Sequence, residues 1–133
     1  MRFAIVSALV LAACGSNDVC DRAAAETKKE VDEAQPCLTN GATFTFSTNV
    51  AACKQQEASC SDNDKKTVAI YFDCLDRIAA PSCSAAASST ANNAAADTYN
   101  TALHDCFKSS NVSSISGGCG TALTAAATTH SSI

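Results

Sequence analysis

Tryptophan is absent from this chain of 133 residues, aromatic side chains make up 5% of it, and histidine occurs only twice. With so few large rings, and an apolar fraction of 47% swollen by alanine and cysteine that bury little area each, one thin core is expected. Two histidines leave little material for general acid–base or nucleophilic chemistry, which needs a positioned base near neutral pKa. No C-x-x-C pair occurs, the closest spacing being Cys53 to Cys60, which speaks against a structural zinc site. Positive charge is also short, with nine Lys and Arg against 13 Asp and Glu. That balance excludes nucleic acid as the natural partner and a polybasic grip on anionic lipid.

What is present begins with the leader. Met1-Arg2 supplies a minimal positive start, Phe3 to Leu11 is apolar apart from Ser7, and small residues follow, as an export signal requires. The stretch is too short to span a bilayer. Leu11-Ala12-Ala13-Cys14 resembles the lipobox of bacterial lipoproteins, and the resemblance implies cleavage before Cys14 and acylation of its thiol, with palmitate-type chains. Two or three chains at about 0.8 kcal/mol per buried CH₂ suffice for stable anchoring. Gly15, in place of an Asp after the cysteine, points to the outer membrane.

Setting Cys14 aside leaves an even eight cysteines, Cys20, Cys37, Cys53, Cys60, Cys74, Cys83, Cys106 and Cys119. In an exported chain these are expected to form four disulfides, which supplement a weak core.

Periodicity predicts an all-α fold, a small antiparallel bundle of about four helices stapled by disulfides. A first helix over 17–35, capped by Ser16 or Asn17, carries Cys20, Ala24, Thr27, Val31 and Ala34 on one face and ends at Pro36. Its other face pairs Arg22 with Glu26, Lys28 with Asp32 and Lys29 with Glu33, and reads as solvated. Residues 37–47 form a connector with a turn at Asn40-Gly41 and an extended alternation at Thr43-Phe44-Thr45-Phe46, whose two Phe are expected to lid the core. A second helix runs from after Thr48 to Ser59. A third, capped by Ser61 or Asp62, carries Val68, Tyr71, Phe72, Leu75 and Ile78 and stops before Pro81. A fourth starts near Ser84, weakens at Asn92-Asn93 and strengthens through Tyr99, Leu103, Cys106 and Phe107. Ser109 to Gly118 reads as a loop, and Gly120 to Thr129 as a short closing helix. The chain thus divides into a signal peptide (1–13), a lipidated tether (14–16), a helical domain (17–129) and a disordered tail (130–133). If consecutive helices alternate in direction, Cys37 and Cys83 fall at one end, and a bridge between them is expected.

Tyr71-Phe72-Asp73-Cys74-Leu75 with Cys83, and Tyr99 through Ala102-Leu103 to Cys106, resemble the spaced aromatic-and-cysteine helices of small myxobacterial envelope lipoproteins. That resemblance offers motility or surface contact as an analogy for the role.

No segment carries a specific catalytic constellation. His104-Asp105-Cys106 are helix neighbours about 100° apart and cannot form a relay by adjacency. Asp73 and Asp76 form a carboxylate pair at i,i+3 and Asp62 with Asp64 a weak calcium candidate, but no Gly-containing EF-hand spacing follows, so helix capping and solubility are the expected roles. Gly117-Gly118-x-Gly120 follows no strand and is no phosphate cradle. Asn111-Val112-Ser113 matches a glycosylation sequon that most bacteria do not use. No cofactor or metal and no small-molecule substrate is inferred. The expected function is a membrane-anchored, non-catalytic envelope module for protein interaction, possessing Cys14 as its one functional site. The alternatives are an exported redox or hydrolytic enzyme and a secreted toxin or inhibitor.

Overall fold

Asp18 starts the first helix, α1 (Val19–Ala34), by accepting hydrogen bonds from the backbone N–H of Cys20 at 3.0 Å and Asp21 at 3.2 Å. The computed structural model describes residues 18–38 and 42–132 of the chain, so the leader, Cys14, the expected caps Ser16 and Asn17 and the Asn40-Gly41 turn lie outside the described residues. Pro36 lacks the N–H that would continue α1, and a 3-10 turn at Gln35–Cys37 ends it. Gln35 then reaches across the following loop, its Nε2 donating to the Ala42 carbonyl and its Oε1 accepting from Phe44 N.

The extended alternation is a strand, β1 (Thr43–Thr48), followed by α2 (Val50–Gln56), whose cap is Asn49. A 3-10 turn at Glu57–Ser59 leads to α3 (Asp62–Leu75). Of the two expected caps for α3, Ser61 is used, in a reciprocal box with Asp64. The helix unwinds five residues earlier than its proline requires, as Arg77 N and Ile78 N bond back to Cys74 and Leu75 in a closing turn. The fourth helix, α4 (Ser89–Ser109), is capped by Ser88 rather than Ser84. Asn92 is not a weak point: it is buried, and its side chain holds both the N–H and the C=O of Ser84, docking the segment after Cys83 onto α4. Asn111 takes a left-handed conformation (φ 56°) that its residue type tolerates, turning the chain into a 3-10 turn at Val112–Ser114.

The closing helix, α5 (Gly117–Ala126), begins and ends three residues before its expected bounds because Ser116 caps it and Ala127 is already extended. Ala127–Ser132 forms β2, antiparallel to β1 with Phe46 opposite Thr129 and Thr48 opposite Ala127. Residues 130–132 are therefore strand, not tail, and the helical domain gains a two-stranded ribbon that ties the end of the chain to its first third.

The architecture is mainly helical and stapled, with five α-helices among the described residues. Helix α1 is central, packing on α2, α3, α5 and the ribbon. The second helix lies chiefly on α5, so the simple rule that consecutive helices pack together does not hold for α2 and α3. Val68, Cys20, Cys53 and Cys119 are fully buried, with Phe72, Leu75, Ala122 and Ala126 around them. Phe44 and Phe46 sit half-buried on one face of β1 rather than over this cluster, and Phe107 is 43% exposed. No helix among the described residues is long and apolar enough to cross a membrane.

Candidate functional site

All eight cysteines after Cys14 are paired: Cys20–Cys53, Cys37–Cys83, Cys60–Cys119 and Cys74–Cys106. Their Cα atoms lie 4.5 to 5.7 Å apart, the separation a disulfide needs. The bridge expected between Cys37 and Cys83 is formed. The Cys60–Cys119 bridge brings α5 so close to the 3-10 turn before α3 that a Cβ on Gly118 would stand 3.0 Å from that of Ser59. This contact gives Gly118 a packing role, while the space beside Gly117 is open.

Asp64 joins the starts of two helices. Its carboxylate accepts from Ser61 N and Oγ, both at 2.9 Å, and from Ser116 N and Oγ, both at 3.0 Å. The backbone N–H groups of Ser61 and Ser116 chiefly hold it ionised and bring its pKa down to about 2. Its neighbour Asp62 is exposed, so the Asp62–Asp64 pair has one carboxylate already committed to capping.

The other carboxylate pair is clamped. Arg22 reaches from α1 to Asp73 at 2.6 Å and Asp76 at 3.0 Å on α3, and its guanidinium lies 5.4 Å over the Phe72 ring. The expected partner Glu26 is 3.9 Å away, beyond a hydrogen bond. Lys28 does pair with Asp32. Lys29 turns instead to Asp76 at 3.4 Å and Glu26 at 3.9 Å, leaving Glu33 to accept from the Tyr99 hydroxyl at 2.7 Å. The stripe Glu26, Glu30 and Glu33 therefore faces α3 and α4 rather than solvent, because Tyr99 on α4 and Asp76 on α3 reach into it. Burial, reinforced by the charges of Glu26 and Glu33, pushes Glu30 up to about 6. Burial and the charges of Glu30 and Glu26 likewise push Tyr71 up to about 12.

A groove of about 380 Å³ opens between the first turns of α1 and α3. Val19, Ala69 and Phe72 form its apolar floor. Its charges are mostly answered from within: Asp18 pairs with Lys54 at 2.8 Å, Lys65 with Glu57 at 3.0 Å, and Arg22 with the two aspartates. Lys66 and Asp62, also on its rim, have no ion-pair partner among the described residues. The groove thus offers an apolar recess edged by one cation and one anion.

Comparison with protein families, curated proteins and solved structures adds no relative. Nothing in the three matches this chain. Its chemistry must be read from its own residues. Cys106 is spent in a bridge, and His104 and Asp105 beside it are exposed, so that triplet makes no assembled site. The donor atoms of Asp18, Cys20 and Glu57 lie within 4.8 Å of one another. A bridged Cys20 has no thiolate to offer, and both carboxylates already hold lysines. Sequence reasoning gave Asp62 and Asp64 a capping role, which Asp64 fills, but missed its reach to Ser116 as well as Asn92 and the glutamate stripe.

Proposed function

We propose that this chain is a lipid-anchored, non-catalytic lipoprotein of the bacterial cell envelope, whose stapled helical body serves as a protein-interaction or scaffold module. One observation carries the reading. The eight cysteines beyond the leader pair completely with one another, which leaves none of them for Cys14, the residue that in sequence follows the lipobox-like Leu11-Ala12-Ala13. A full set of disulfides also suits an oxidising compartment outside the cytoplasm. The outer membrane is the favoured address on account of Gly15, and the favoured partner is another envelope protein, as in an accessory of a motility or surface-contact machine.

The test is acylation of the full-length protein expressed in a bacterium with lipoprotein-processing enzymes. Detergent-phase partition and a mass showing a mature amino terminus at Cys14 with two or three acyl chains are expected. Cys14→Ser should abolish both. An unacylated mature chain, or a C14S variant that partitions as the parent does, overturns the anchor and favours a shed toxin or inhibitor.

A further inference from the structure

Glu26 poses a problem that the anchor reading leaves untouched. The residue is only 8% exposed, yet its Oε2 has no hydrogen-bond donor, and its two nearest cations, Arg22 and Lys29, both stand 3.9 Å away. An ionised carboxylate so deeply buried requires donors at hydrogen-bond distance. The carboxyl that converges on the same two cations is that of Asp76, 3.0 Å from Arg22 and 3.4 Å from Lys29. Two carboxylates are both acceptors and cannot bond to each other unless one carries a proton.

We propose that Glu26 and Asp76 share one proton, and that this proton latches α1 to α3. In the latched form Glu26 is the neutral donor and Asp76 the charged acceptor. Asp76 is the more exposed of the two and is held by Arg22 at 3.0 Å and Lys29 at 3.4 Å, so the negative charge belongs there. The remaining charged neighbours fit this division. Glu30 on α1, which interacts with the charge of Glu26, adds negative potential that favours a neutral Glu26, while Glu33 is engaged by Tyr99 and Arg22 is shared with Asp73 on α3. Tyr71 of α3 and Tyr99 of α4 stay protonated beside the stripe. Burial, then the charge of Asp76, raises the Glu26 pKa; the hydrogen bonds from Glu26, Lys29 and Arg22 outweigh burial and lower that of Asp76. When the proton leaves, the bond becomes a contact between like charges and α1 loosens from α3. Arg22, which grips Asp76, also lines the groove, so the latch controls the stability of one groove wall.

Site-resolved carbon NMR of the side-chain carboxyls between pH 3 and 9 tests this in the intact protein. Glu26 is expected to titrate above, and Asp76 below, the ordinary carboxylate range. Glu26→Gln, which keeps a donor toward Asp76, should fold and should remove the proton uptake on folding that the parent shows just above the ordinary glutamate range. Asp76→Asn separates a shared proton from burial alone. Its amide can donate to an ionised Glu26, so Glu26 should fall back toward its usual range. Ordinary titration of Glu26 in the parent, or a Glu26 that stays raised in D76N, overturns the latch.

Discussion

The two halves of α1 are buried by different means. Its first turns, Val19 to Ala24, enter a dry cluster of alanine, valine and cystine sulfur against α2, α3 and α5. Its later turns present Glu26, Glu30 and Glu33 to α3 and α4, where contact is made through carboxyls, tyrosine hydroxyls and the ends of Arg22 and Lys29. The dry end gains stability from area removed from water and from a cross-link, and is indifferent to pH. The polar end carries charge into a half-buried interface, so its contribution changes with protonation. One helix thus couples a fixed point in its first turns to a tunable joint farther along.

Removing the Cys20–Cys53 bridge should have the largest effect, because it combines lost restriction of the unfolded chain with two sulfurs at 0% exposure. Cys20→Ala with Cys53→Ala is expected to cost about 2–4 kcal/mol in urea unfolding, at every pH. The Cys37→Ala, Cys83→Ala pair closes a longer loop, 46 residues against 33, but Cys83 is only half-buried. Loop length alone would make its loss slightly the larger. A smaller loss for Cys37–Cys83 would show that burial of the sulfurs sets the order, and a larger one would break the contrast between dry and polar ends.

The dry end was the legible part of the molecule. Cysteine parity, the Val68-to-Leu75 stripe and the stop at Pro36 are local or countable signals, and helical class and stapling follow from them; the Cys37–Cys83 bridge rested on alternating helix directions and forms even though α2 and α3 do not pack as neighbours. The polar end was read as a solvated face because i,i+4 spacing offered Glu26 and Glu33 a local cation. Long-range partners won: Arg22 prefers two aspartates about fifty residues away, and Tyr99 takes Glu33. Strand β2 was hidden for a similar reason. Ala125-Ala126-Ala127 has helical propensity and Thr128 to Ser132 shows no apolar alternation, so only pairing with β1 specifies it. Asn92 looked like a helix weakness because its value lies in a backbone eight residues earlier.

Glu30→Gln should act in the opposite sense to the disulfide deletion, and only over part of the pH range. The folded pKa, raised from 4.5 to about 6, means that folding favours the protonated form. Below pH 4.5 the side chain is protonated in both states and costs nothing. As pH rises through 6 the unfolded chain ionises first, and stability falls by at most about 2 kcal/mol. The glutamine variant removes that loss, so it should be more stable than the parent above pH 6 and equal to it below 4.5. Asp64 limits the other side: its pKa near 2 supplies stability that is present above 3.8 and lost as pH falls toward 2. A uniform gain at all pH values would mean that Glu30 is merely poorly packed.

Tyr99→Phe tests the polar end with the smallest change. The hydroxyl donates to Glu33 at 2.7 Å from a ring that is 5% exposed, and the ring itself should stay in place. A bond to a charged acceptor is worth more than a neutral one, but half-buried Glu33 can turn to water, so a loss of about 1 kcal/mol at pH 7 is expected. Phenol titration supplies a readout that packing alone does not move. The chain has two tyrosines, Tyr71 raised to about 12 and Tyr99 raised further by burial and its bond to Glu33, so the parent should show little phenolate at pH 10.5. In the variant the remaining absorbance change belongs to Tyr71 alone and should still centre near 12, because the burial and the charges of Glu30 and Glu26 that raise it remain. A Tyr71 that instead ionises near 10 would mean that Tyr99 holds the whole glutamate stripe in place, making the polar end a single cooperative joint rather than a row of separate contacts.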